Sequence, residues 1–110
     1  MAADRLLGSL ASLSDAFHPA VLRMVQETCR GGDQQRRPVG VCGEAAADPL
    51  LAVVLVGLGA TSLSMSASAI GDVRAELASH TLEDARRLAQ AAVAMSSADE
   101  ARNAVQQAMA

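Results

Sequence analysis

The chain has 110 residues, a net charge of −3 and a hydrophobic fraction of 51%. That is room for one domain, spanning residues 1–110, able to bury roughly two-thirds of its unfolded surface. Scattered charge and a single aromatic, Phe17, exclude a nucleic-acid surface, which needs a basic face and stacking platforms.

With so few aromatics the core is expected to be Ala, Leu, Val and Met. Two cysteines do not make a disulfide framework, which points to a reducing cytoplasm. Asp4 and Arg5 come early with no apolar run behind them, so no secretory signal is read. Residues 49–71 carry no charge and are long enough to span a bilayer. Gly57, Gly59, Thr61 and four serines interrupt them, however. A buried helix, a turn and a strand fit that pattern better than a membrane span.

In chain order, residues 1–13 predict an amphipathic helix with Leu6, Leu7, Leu10 and Leu13 on one side, stopped at Ser14-Asp15. The next helix starts with His18 as cap and Pro19 at the first position. Phe17 and Leu22 then occupy the two places of a hydrophobic staple. Val21, Leu22, Val25 and Cys29 form its expected buried face, and Gly31-Gly32 its expected end. A polar loop, residues 33–37, leads to a β-rich run at residues 39–42. A small-residue loop, residues 43–47, follows. Asp48 caps a helix with Pro49 at its first position. That helix is apolar on every side through Leu58, so it should be buried, with Gly57 and Gly59 ending it. Alternating Ser and Leu or Met at residues 62–66 reads as a second strand. Helix is expected at residues 69–79 and 83–95, the latter opened by a capping box from Thr81 to Asp84. Ser97 to Glu100 resembles a second box for the last helix.

The fold class is therefore α/β: about two parallel strands joined by a crossover helix, with a mostly helical remainder. Two strands make a poor parallel sheet on their own. A (β/α)8 TIM barrel needs roughly 250 residues, so the chain reads as a piece of one.

In such folds ligands bind at the carboxyl ends of strands, where Cys42 stands with Gly43 and Glu44 behind it. A cysteine in that place is either a small hydrophobe or a chemical group. Cys29, near a helix end, reads as structural. His18 reads as a cap and His80 as a loop residue, and neither has metal-ligand spacing.

The motifs narrow the choice. The run Val39-Gly40-Val41-Cys42-Gly43-Glu44, then Ala47-Asp48-Pro49, Gly57-Leu58-Gly59, Leu63-Ser64-Met65-Ser66 and Ala69-Ile70, resembles the C-terminal end of the Enzyme I family. These are the phosphoenolpyruvate–protein phosphotransferases of bacterial sugar uptake. Phe17-His18-Pro19-Ala20-Val21-Leu22-Arg23 and Ala2-Ala3-Asp4-Arg5 fit the same family. Pyruvate phosphate dikinase and phosphoenolpyruvate synthase share the Cys-Gly element, but the other motifs are nearer to Enzyme I.

The resemblance implies that this piece is the C-terminal fragment of a barrel, which binds phosphoenolpyruvate and Mg2+. The phosphoryl group passes to a histidine in another domain and on to the carrier HPr. Cys42 is implied as the acid that protonates the enolate to pyruvate, and Arg5 as a contact to the substrate phosphate. Both roles suit the chemistry. A guanidinium fork matches phosphate oxygens. A thiol, ordinarily titrating near 8.5, still holds its proton at neutral pH. Glu44 either orients the loop by hydrogen bonding or is a solvated carboxylate.

The family's Asn-Asp pair, its other metal carboxylate, two further substrate arginines and the phosphorylated histidine are not matched here. Ala67 stands where the family has a small residue, often Pro. The start is expected to be a truncation or a split gene, and the chain alone is not expected to turn over phosphoenolpyruvate. The other reading is a non-catalytic remnant that pairs with a larger barrel fragment or with itself. The family dimerises through this domain, so self-association is expected under either reading.

Overall fold

A computed structural model of the chain describes residues 16–109. The expected helix at residues 1–13 and Arg5 lie outside the described residues.

Helix α1 (Pro19–Gln34) starts as its sequence dictates: His18 Nδ1 accepts the Ala20 amide at 3.1 Å and Pro19 takes the first position. Phe17 and Leu22 are both fully buried, as a staple requires. Leu22 and Cys29 form the buried stripe, with Val21 and Val25 only half-buried beside it. The helix does not stop at Gly31-Gly32, as the glycines alone suggested. It closes further on, where Arg36 takes φ 55° and the Arg37 amide donates to the Gly32 carbonyl at 2.7 Å. Gly32 is required for a different reason. A Cβ there would stand 2.6 Å from Val39 Cγ2 and 2.9 Å from the Arg37 carbonyl oxygen.

Strands β1 (Gly40–Cys42) and β2 (Ser62–Ser64) pair in parallel, with Gly40 opposite Ser62, Val41 opposite Leu63 and Cys42 opposite Ser64. They are shorter than the runs at 39–42 and 62–66. Thr61 locks their entry: its amide donates to the Val39 carbonyl at 2.8 Å and its Oγ1 accepts the Val39 amide at 2.9 Å. The expected loop after Cys42 is in part a short helix, α2 (Glu44–Ala47). Glu followed by three alanines is strong helix-forming sequence, and that preference wins.

Helix α3 (Pro49–Leu58) is the centre of the molecule. Asp48 Oδ1 caps it through the amides of Leu50 (3.1 Å) and Leu51 (3.3 Å). Leu51, Ala52, Val53, Val54, Leu55 and Leu58 are all buried, which explains a helix with no polar face. Gly59, at φ 116°, ends it. Gly57 does not; it lies inside the helix, where a Cβ would collide with the Ala85 carbonyl.

Helix α4 (Ala67–Ala78) begins earlier than residue 69, with Ser66 at its cap position. Helix α5 (Leu82–Val93) has the full capping box, Thr81 Oγ1 accepting the Asp84 amide at 3.0 Å and Asp84 Oδ2 accepting the Thr81 amide at 3.3 Å. Helix α6 (Ala98–Met109) has the first half of one, through the Glu100 amide and Ser97 Oγ at 3.2 Å. Leu88, Ala85, Ala89 and Ala92 of α5 and Ala101 and Val105 of α6 complete the core around α3. Of the methionines among the described residues, the expectation of a core place fails for Met24, while Met95 and Met109 pack against the core from its edge. Met24 is 69% exposed, while Met65, Met95 and Met109 are half-buried. Among the described residues no helix is long and apolar enough to cross a membrane.

Candidate functional site

The two strands have unlike faces. Val41 and Leu63 are half-buried and pack against the helical core. Gly40, Cys42, Ser62 and Ser64 are exposed. Side chains alternate along a strand, so these four share the opposite face. It is flat because its residues are small: a Cβ on Gly40 would stand 2.9 Å from Ser62 Oγ.

Cys42 is the last residue of β1 and is exposed, unlike Cys29. Directly opposite is Ser64, the last residue of β2. Beyond Cys42 the chain turns sharply. Gly43 adopts φ 95°, a left-handed conformation that favours glycine, and its amide donates to the Ser64 carbonyl at 3.2 Å. The turn therefore ends the strand immediately after the thiol and fixes the Cys42 backbone against Ser64. Glu44 opens α2 on the exposed surface, and among the described residues its carboxylate has no hydrogen-bond or ion-pair partner.

The other candidates separate from this face. Cys29 is 5% exposed, packed against Gly59, and burial pushes its thiol above the ordinary range. That is the environment of an inert structural cysteine. His18 is a helix cap. His80 Nε2 lies 3.1 Å from Glu76 Oε2. Arg23 proves to be structural: its guanidinium donates to the carbonyls of Val93 (2.8 Å) and Met95 (3.3 Å), at the end of α5.

Among the described residues no three or more of His, Cys, Asp and Glu gather into a metal site. Their donors thus do not fit the Mg2+ implied by the resemblance, and the chemistry derived for them uses no metal. One cleft, of about 500 Å3, lies by Cys29, Gly59 and Arg86, and another, of about 330 Å3, lies between β2 and α4. Neither includes Cys42, which stands on open surface. Ser64 is a neighbour of the thiol that the sequence did not disclose. The alternation Ser62-Leu63-Ser64 was legible, but the register that sets Ser64 beside Cys42 was not.

A thiol at a strand end, followed by a glycine turn, on a mostly helical α/β chain with two parallel strands is what a piece of a phosphoenolpyruvate-binding barrel would present. Residues 1–82 match the model of the PEP-binding domain of PEP-utilising enzymes. The chain belongs to that family. Within it, the chain is 51% identical over 105 residues to the phosphoenolpyruvate-protein phosphotransferase of Streptomyces coelicolor, covering 96% of this chain and 19% of that protein. It is 41% identical over 102 residues to the multiphosphoryl transfer protein of Rhodobacter capsulatus, covering 93% and 12%. It is 33% identical over 105 residues to a phosphoenolpyruvate-dependent phosphotransferase system protein of Salmonella typhimurium, covering 96% and 14%. The chain thus spans about a fifth or less of the length of these relatives. The family read from the motifs is confirmed.

Proposed function

We propose that this chain is the proton-delivering segment of a phosphoenolpyruvate–protein phosphotransferase, an Enzyme I-type transferase of the sugar phosphotransferase system. In that reaction the phosphoryl group leaves phosphoenolpyruvate for a histidine on another domain and continues to HPr. The enolate of pyruvate remains behind. The Cys42 S–H bond breaks, a C–H bond forms at the enolate's methylene carbon, and pyruvate departs. The thiolate then regains a proton from solvent. Arg5 holds the substrate phosphate, and Glu44 stays a solvated carboxylate at the mouth of the turn. The setting is cytoplasmic, and the working enzyme is a dimer whose Mg2+ is held by residues other than those described.

The observation that carries this reading is the position of Cys42. An exposed thiol ends a strand at the carboxyl edge of a parallel pair, with a left-handed glycine directly behind it. General acid catalysis by a positioned group contributes about 10²–10⁴-fold in rate. The test exchanges this chain for the corresponding segment of the Streptomyces coelicolor relative and introduces Cys42→Ala. Pyruvate release should fall by roughly 10²-fold or more, while phosphoryl exchange between HPr and the enzyme is retained. Equal loss of both half-reactions would remove the proton-donor role.

A second reading has its own observation. The two-stranded sheet leaves one edge of each strand unpaired among the described residues. Open edges pair readily with other strands. As a non-catalytic module the chain would use them to join a larger piece of the same fold or a second copy.

A further inference from the structure

We infer that the groove between β2 and α4 seats one further strand, contributed by the remainder of the barrel and lying parallel to the open edge of β2. This inference rests on the reading of the chain as a piece of a larger fold, and not on the role of Cys42. Three features meet at the groove. The first is backbone. Thr61 turns its amide toward β1, to the Val39 carbonyl, and successive residues of a strand present their backbone groups to opposite sides. The amide and carbonyl of Ser62 therefore face the other edge, where no strand pairs with β2 among the described residues. The second is apolar surface. Beside that edge a cleft of about 330 Å3 is walled by Leu63 and Met65 on one side and by Ile70, Val73 and Leu77 of α4 on the other. Ile70 is left 41% exposed there. The third is charge. Arg74 lines the same cleft, is exposed, and has no hydrogen bond or ion pair among the described residues.

Together these features define the occupant. Another extended chain satisfies the Ser62 amide and carbonyl while its side chains fill an apolar groove beside a helix. Its residues facing α4 are apolar, and it bears an Asp or Glu that meets Arg74. The matched segment is only 19% of the Streptomyces coelicolor protein, and a barrel draws its other strands, all parallel, from the rest. The consequence reaches the thiol. Side chains alternate across a strand, so the residues of the added strand that turn from α4 lie on the open face with Cys42, about 10 Å from β1. They add side chains to a face that here holds only Gly40, Cys42, Ser62 and Ser64. The site is incomplete without that strand.

Hydrogen exchange, read by mass spectrometry over residues 61–65, tests this in the present chain and in the chimera with the Streptomyces coelicolor relative. At dilutions where this chain is monomeric, the Ser62 amide should exchange freely. In the chimera it should exchange about 10²-fold or more slowly. Ile70→Asp and Arg74→Glu change exposed residues, so this chain alone should tolerate both. In the chimera they should speed the exchange by about tenfold and about threefold. Protection in the chimera that neither substitution moves would overturn the inference. Protection that grows with concentration in this chain but is missing from the chimera would assign the groove to a second copy, and would overturn it equally. Exchange as free in the chimera as in this chain would also overturn it. If no other segment of this chain gains protection in the chimera either, the larger-fold reading falls with it. The proton-donor reading is decided separately, by pyruvate release from Cys42→Ala.

Discussion

Arg23 is exposed on α1, yet its guanidinium makes three hydrogen bonds to the end of α5, to Val93 at 3.2 and 2.8 Å and Met95 at 3.3 Å. The Val93 carbonyl is an orphan acceptor of the α5 C-terminus, where a cation is also favoured by the helix dipole, and Met95 lies just beyond the cap. We expect Arg23→Ala to lower stability by about 1 kcal/mol, read from the midpoint of chemical unfolding. Arg23→Lys should recover only part of it, because the ammonium lacks the fork. An unchanged midpoint for Arg23→Ala would show the bonds to be worth nothing. Arg102 ties a different corner, 4.5 Å above the Phe17 ring and 3.5 Å from Asp48 Oδ2. Arg23 belongs to a motif legible in the sequence, but its structural use was not. Its partner lies 70 residues away, and no local pattern announces it.

Among the elements, what was local was legible. His18, Asp48 and Thr81 cap their helices through residues two or three positions away, so spacing alone discloses them. What depends on packing was not. Gly31, Gly32 and Gly57 all look like helix breakers, and only contacts with Val39 and Ala85 distinguish them. A methyl group added at Gly31 would meet no atom within 4 Å, and the residue sits in helix, so Gly31→Ala should raise stability by roughly 0.5–1 kcal/mol. Gly57→Ala should lower it by about 1–3 kcal/mol, because the colliding atom is backbone where α3 crosses α5. The same unfolding midpoints decide both, and equal shifts in one direction would refute the assignment.

The capping box of α5 also carries a pH dependence. The Thr81 backbone amide, followed by its hydroxyl, holds the Asp84 carboxyl below its usual range. A carboxyl depressed in the folded state stabilises fully above its unfolded pKa, ordinarily about 3.9. The benefit is lost as pH falls through the folded value. Asp84→Asn, which keeps an acceptor without the charge, should therefore unfold more easily than the parent at pH 6. The difference should close as the pH is taken below that of an ordinary Asp. A gap that stays constant to pH 2 would contradict the box's electrostatic part.

At the scale of the molecule, α3 buries itself among α1, α4 and α5, with α6 packed against α5, while the sheet is left with one covered and one open face. The α/β class and the parallel crossover were legible because a strand, an apolar helix and a second strand follow one another. The role of the open face was not, since four small residues say little until their register is known. A site formed by one flat face and an uncovered thiol offers a ligand few contacts. Calorimetry should find phosphoenolpyruvate bound to this chain no more tightly than millimolar, and micromolar binding would refute that. The open strand edges predict association that grows with concentration. A compact monomer in sedimentation at high concentration would count against it.

The most direct measurement of the central claim follows the proton itself. In the chimera with the Streptomyces coelicolor relative, deuterium exchange at the methyl carbon of pyruvate reports the carbon-directed acid without net phosphoryl transfer. With Cys42 present, exchange should proceed; with Cys42→Ala it should fall by about 10²-fold or more while the histidine still exchanges phosphoryl groups with HPr. Exchange that continues at the parent rate in Cys42→Ala would contradict the account.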